Sequence, residues 1–265
     1  MESHAATAVT SRVASGPSVF ARNQFLIKRL FSLSGLFFSG YVVVHLTTNA
    51  SLLAGPRMFQ ENVNRIHSLG PALPFVEWTF LFLPFLFHMI VGWTVILGAA
   101  PNLSDYRYVG NIRYTLQRVT AIILFFFVLG HVAHMHHYGK VVGGGLFKPE
   151  GASSSLGAAM QSGIWIPLLY AIGVLAAAFH VGNGIWTAGI AWGLWTTPTG
   201  QKRANAVACV VGIGIALMGS LAIMGARNVD VEQAESIEKV LVERQQWLLG
   251  EEANPASKPD ASPAK

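Results

Sequence analysis

The sequence predicts an all-α integral membrane protein, with five transmembrane helices in a bundle and a short C-terminal amphipathic helix after them. Three observations carry that prediction. Of the 265 residues, 52% are hydrophobic and only 12% charged, against about 25% charged in an ordinary soluble domain. The deficit is concentrated: Leu30–Gly55, Trp78–Asn102, Val119–Gly139, Gly151–Gln201 and Ala204–Ala226 contain no Asp, Glu, Lys or Arg. Each run reaches the ~20 residues a helix needs to cross ~30 Å of hydrocarbon. The runs are also continuous, whereas a membrane barrel would show alternating segments of about 10 residues, and lipid admits only helices or closed barrels.

In chain order, residues 1–28 are polar and lack the apolar core of a signal peptide, so they read as a cytoplasmic lead. Residues 29–226 form the membrane domain. In its second run Pro84 removes a helix hydrogen bond and should bend the span. The fourth run is long enough for one helix plus two interfacial ends, and the fifth holds the single cysteine, Cys209, which excludes an internal disulfide. Residues 227–250 place Ile237, Val240, Leu241, Arg244, Trp247 and Leu248 on near-helical spacing, as a helix lying on the surface or on a partner would. Residues 251–265 are rich in Pro, Ala and Ser and are expected to be disordered.

Charge sets the orientation. Arg12, Arg22, Lys28 and Arg29 precede the first span, Arg107, Arg113 and Arg118 lie in or beside the second connection, and Lys202 and Arg203 in the fourth. Against them stand Arg57 and Arg65 in the first connection and Lys140 and Lys148 in the third. The bias puts the N-terminus inside and the C-terminus outside. A formal charge of +5 gathered at helix ends and in the tail is no signal for nucleic acid.

Histidines carry the chemistry. His45, His88, His131 and His180 fall one on each of the first four spans, and the fifth span has none. His45 is about 15 residues past Leu30 and His131 about 13 past Arg118, so both lie ~20 Å from the inner surface. His88 and His180 come from spans running the other way and fall nearer the inner half. Four imidazoles at two levels are what two bis-imidazole haems need, because a haem iron takes axial ligands from opposite faces of the porphyrin. Gly92 and Gly184, each four residues after its histidine, share that histidine's face and leave room for a macrocycle. Gly130 and Gly40 stand near His131 and His45 in the same sense. His134 is the fallback for His131, while His136 and His137 read as a solvated helix end. A lone intramembrane histidine could simply bond a backbone carbonyl, and small residues pack such helices without a cofactor. A transporter or channel whose histidines relay protons or hold a metal fits the same four positions.

With those residues in place, the chain resembles the diheme cytochrome b membrane anchor of bacterial succinate dehydrogenase and fumarate reductase, of the single-chain, five-helix type. The resemblance runs from about Phe25 to Ala226 through KRLFSLSGLF, LPFLFHMIVG, LQRVTAIILFFFVLGHV and FHVGNGIWTAGIAWG. It implies two haems b, a distal one between His45 and His131 and a proximal one between His88 and His180. It also implies an FAD flavoprotein and an iron–sulfur subunit on the cytoplasmic side of a bacterial inner membrane. Electrons from succinate would then pass through the inner and outer haems to a quinone, menaquinone in anchors of this type. Arg29, Arg113 and Arg118 could bind haem propionates or dock the soluble subunits, with positive-inside anchoring as the plainer alternative. Glu61, Arg65 and His67 are candidates at the quinone, against a solvated loop. Quinol:fumarate reduction in reverse, and a haem b anchor for a hydrogenase or formate dehydrogenase, remain as alternatives; the LQRVT and FHxxNGxW stretches speak against the latter. Some fumarate-reducing relatives carry a glutamate two residues before the fourth-span histidine, where this chain has Ala178. The segment after Arg227 has no counterpart in the family pattern, and a higher oligomer of the complex is left open.

Overall fold

A computed structural model describes residues 23–98 and 104–253. The lead up to residue 22, most of the short stretch after Gly98, and the tail from 254 lie outside the described residues. No strand occurs among the described residues. Among the described residues five helical spans are long and apolar enough to cross a membrane: Gln24–Ala54, Gly70–Leu97, Val109–Met135, Trp165–Ala191 and Pro198–Asn228.

The second span begins before its charge-free run. A short helix Leu73–Glu77 leads into a π-helical turn, Trp78–Phe82, and then into the α-helix Leu83–Leu97. Pro84, in the first turn of that helix, has no N–H to donate to an earlier carbonyl, so the chain takes up the mismatch as a widened turn rather than as a sharp break.

Fourth and fifth spans pack most closely. Their contact is made of small residues: a Cβ on Gly182 would meet the Ala208 carbonyl oxygen at 2.6 Å, and one on Gly212 would meet that of Ala178 at 3.0 Å. Ala178/Gly182 facing Ala208/Gly212 is the small-xxx-small pattern that lets membrane helices approach backbone to backbone. The fifth span, without a histidine, therefore buttresses the fourth. Ala178 is buried in this contact, so the position two residues before His180 faces a neighbouring helix.

One end of the bundle is roofed by the first and third connections. Gly55 (φ 113°) reverses the chain after the first span, a conformation that favours glycine, and Pro56 starts the helix Pro56–His67. After Met135 the chain folds back, so that Gly145, Leu146 and Phe147 donate backbone N–H groups to the carbonyls of Ala133, His134 and Met135. These bonds satisfy acceptors that a helix end leaves unpaired. Side chains would not fit: a Cβ on Gly139 or Gly144 would collide with the Ala133 carbonyl. Leu52, Phe59, Val63, Met135, Leu156 and Met160 form the buried core of this roof, with helix Ala152–Gln161.

The C-terminal segment forms a helix, Val231–Ala253, docked on this chain's own Pro56–His67 and Ala152–Gln161 helices. Its buried stripe runs through Ala234 and Glu238, while Val240 and Trp247 are exposed. The stripe expected from hydrophobicity thus differs from the one used, because a carboxylate occupies its centre. Glu238 is only 4% exposed. It accepts hydrogen bonds from the backbone N–H groups of Ser153 (2.7 Å) and Ser154 (3.0 Å) and from the Ser154 hydroxyl (2.6 Å). It caps the N-terminus of helix Ala152–Gln161 from a distant part of the chain.

Candidate functional site

Between the first four spans lies a cavity of about 1500 Å³, above the ~300–1,000 Å³ usual for a small-molecule pocket. Its walls include His45, His88, His131 and His180, one from each span, together with Gly35, Gly92 and Gly184. The rings meet in two pairs. His45 and His131 have ring centres 5.8 Å apart at 80°, and His88 and His180 have theirs 6.4 Å apart at 82°.

Those separations can be tested against a metal clamp. An imidazole–metal bond is about 2 Å and the ring nitrogen about 1.2 Å from the ring centre, so two imidazoles that would hold one metal between them have ring centres up to about 6.4 Å apart. Both pairs fall near that value. The second test is the other nitrogen. A ligating imidazole usually donates its non-ligating N–H to an oxygen, which fixes the tautomer. His88 Nδ1 lies 3.2 Å from the Phe31 carbonyl and 3.3 Å from Ser34 Oγ. His180 Nδ1 lies 3.3 Å from Thr120 Oγ1, and His131 Nδ1 lies 3.1 Å from the Tyr170 hydroxyl. For His45 the oxygen is the Tyr41 hydroxyl, at 3.5 Å. Each Nδ1 has an oxygen able to accept its proton, which would leave Nε2 to a metal; His180 Nδ1 also lies 3.3 Å from the Gln117 amide nitrogen. The residues present fit two bis-imidazole haems.

Several residues that support these rings were not picked out from the sequence. Gly35 is one: a Cβ there would lie 2.8 Å from His88 Cε1, so only glycine lets that ring sit against the first span, stacked on Phe31 at 4.3 Å. Gly173 admits the Phe127 ring, which stacks on His131. Around His180, Gln117 donates to its carbonyl (3.2 Å) and accepts from Asn183 (2.7 Å), and Asn183 accepts from Arg113 (2.8 Å). The LQRVT and FHxxNGxW stretches are therefore the two halves of one polar network. Its signal in the sequence was Asn183, about one turn after His180, and the polar Gln117 and Thr120 at the start of the third span. Of the expected glycines, Gly92 and Gly184 line the cavity. Gly40 and Gly130 are exposed and have nothing within 4 Å of an added Cβ, so they make no room for a macrocycle.

The basic residues divide. Arg113 and Arg118 line the cavity with Lys28. Arg118 Nη2 donates to the Val95 carbonyl at 2.9 Å, its guanidinium lies over the Tyr114 ring, and its buried Nε has no hydrogen-bond partner. A buried donor without an acceptor, at the same end as His88 and His180, suits an anionic group such as a propionate. Arg29 instead stacks between Phe25 and Trp192, at 4.8 and 4.6 Å, outside the cavity wall.

At the roofed end, helix Pro56–His67 turns Phe59, Val63 and Ile66 to the cavity. Glu61, Arg65 and His67 lie on its other faces. Glu61 pairs with Arg57 at 3.0 Å, Arg65 reaches Asn62, and His67 Nδ1 contacts the Val63 carbonyl. None of the three lines the cavity, because the helical register that buries Phe59 and Val63 turns them away. His136 does line it, edge-on to Phe82 at 5.8 Å. Burial, and then the neighbouring His137, lower its pKa. It is a wall residue rather than part of a fully solvated helix end. His134 lies outside the wall, its Nδ1 3.0 Å from the Tyr170 hydroxyl.

Residues 98–221, which take in the third and fourth spans, match the family described as succinate dehydrogenase/fumarate reductase transmembrane subunit. The chain is also similar to the succinate dehydrogenase cytochrome b558 subunit of Bacillus subtilis (strain 168). The two are 29% identical over 201 residues, covering 76% of this chain and 96% of that one.

Proposed function

We propose, from the premise that this chain is a cytochrome b membrane-anchor subunit of the succinate dehydrogenase/fumarate reductase kind, that it passes electrons across the bilayer between an iron–sulfur subunit and a quinone. One observation carries the reading: two imidazole pairs face each other across one cavity at separations suited to a shared metal. In this reading His45 and His131 hold one haem b and His88 and His180 the other. Bound haem would supply one-electron chemistry that no side chain here offers. The chain's part is to clamp the two irons at different depths, fix each ligand's tautomer through its Nδ1 bond, and keep water out of the space between. Arg118, with Arg113 and Lys28, balances negative charge at the proximal end.

The partners follow from the same premise: a flavoprotein and an iron–sulfur subunit docked at the end nearer His88 and His180, the cytoplasmic one by the charge bias. Quinone, menaquinone by the family likeness, would react near the roofed end. Succinate oxidation is the proposed direction, in keeping with the Bacillus relative's name as a succinate dehydrogenase subunit. A pyridine haemochrome assay on the purified complex should give two haems b per chain, both reducible by succinate. His88→Ala should remove one haem signal and block reduction of the other. Absence of haem, or two unchanged low-spin signals in His88→Ala, overturns the assignment.

A further inference from the structure

The Nδ1 contacts of His45, His88 and His180 involve no second histidine. That of His131 does. The Tyr170 hydroxyl lies 3.1 Å from His131 Nδ1 and also 3.0 Å from His134 Nδ1. One hydroxyl has a single proton to donate, so the two contacts must differ in direction. If His131 bonds a metal through Nε2, its Nδ1 carries the proton and donates to the Tyr170 oxygen. The Tyr170 proton is then left for His134 Nδ1, whose own proton sits on Nε2.

We propose that Tyr170 is a positioning residue for the haem held by His131, and that His134 acts behind it as terminal acceptor of a directed chain, His131 to Tyr170 to His134. The inference rests on the haem reading above. The geometry holds the tyrosine firmly: its ring packs edge-on to Phe127 at 5.5 Å and to His131 at 5.4 Å. His134 is half-buried and outside the cavity, so its ring serves the chain and not the metal. A hydroxyl whose own proton is given away is a better acceptor. It draws the Nδ1 proton of His131, makes that imidazole more electron-rich, and favours ferric over ferrous iron. Behind His180 and His88 the hydroxyls of Thr120 and Ser34 pass their protons to the Leu116 and Phe31 carbonyls; the Tyr170 hydroxyl bonds neither of those rings, so changing it acts on one haem.

The test is a potentiometric titration of the intact complex, following both haem components by absorbance, with haem content measured alongside. In Tyr170→Phe the component lost in His131→Ala should rise in potential by about 60 mV, a tenfold change at 59 mV per decade for one electron. The other component should stay in place. His134→Leu keeps the tyrosine and should move the same component in the same direction by less. Two low-spin haems with no shift in either variant, or an equal shift of both components, overturn the proposal while leaving the haem reading intact. Should Tyr170→Phe fail to load haem, His134→Leu decides alone, and an unmoved potential there overturns it. Wild-type complex without haem would instead remove the function proposed above.

Discussion

Gly35→Ala tests the site at its tightest point. The added Cβ would lie 2.8 Å from His88 Cε1 and 3.2 Å from Nδ1, where ordinary contact begins at 3.4 Å. The ring must therefore retreat by about 0.6 Å, beyond the ~0.5 Å within which a metal-binding constellation stays productive. Overpacking of this kind costs about 1–3 kcal/mol, or about 5- to 150-fold in affinity for the group held by His88 and His180. Gly40→Ala in the same helix is the control, because nothing lies within 4 Å of its new Cβ. Both changes bring the same gain in helix propensity, so their difference isolates the contact. Haemochrome content and a reduced-minus-oxidised spectrum should show a depleted or altered proximal component in Gly35→Ala and two normal haems in Gly40→Ala. Identical spectra for the two variants would refute the claim that this glycine sets the ligand's position.

The remaining expectations concern the roof. Glu238→Ala strips the acceptor from two buried backbone N–H groups and one hydroxyl; each unpaired buried donor costs about 1–3 kcal/mol, so thermal unfolding in detergent should start lower and protease should release the C-terminal helix first. Glu238→Gln, which keeps one carbonyl oxygen, should fall between. For His136, burial lowers the pKa, so the folded state favours the neutral ring and the unfolded chain takes a proton more readily. Stability from this group is full above about pH 6.5 and lost as pH falls from there through the lowered folded value. His136→Asn should flatten that acid slope in a pH series of melting curves.

Much of this was legible in the sequence because two constraints act residue by residue. Hydrocarbon tolerates few charges, so the charge-free runs announced five spans, and a buried imidazole needs a partner, so His45, His88, His131 and His180 stood out. What was missed depends on which residue of another helix lies opposite. Gly35 and Tyr170 act across helix boundaries, on His88 and His131 respectively, and no spacing within one span reveals that. Gly40 and Gly130 misled for the same reason: nearness in sequence to a histidine is not a shared face. In the extension, hydrophobicity favoured Val240 and Trp247, whereas docking turned on Glu238, whose worth comes from the helix N-terminus it caps.

The ring contacts and the Nδ1 contacts join different spans. Ring pairs link first to third and second to fourth, while the Nδ1 bond of His88 links second to first, and those of His131 and His180 link third and fourth. Direct packing follows the second scheme: first with second, third with fourth, and the fifth braced on the first and fourth. Second and third spans meet only at points such as the Arg118 bond to the Val95 carbonyl and the Trp93–Phe125 ring contact, with the cavity between them. Direct packing thus joins the first, third, fourth and fifth spans, the first also touching the fourth, while the second is attached mainly through the first. The second span, the least packed of the five, depends most on the pairing of His88 with His180. Chain made under haem limitation should expose the second span selectively. A Met89→Cys reporter, facing the cavity, should react faster with a membrane-permeant thiol reagent than in loaded protein. With the exposed Cys209 replaced in both proteins, an Ile215→Cys reporter, buried beside Ala178 and Val181, should not change. Equal protection of Met89→Cys with and without haem would mean that helix packing alone closes the bundle.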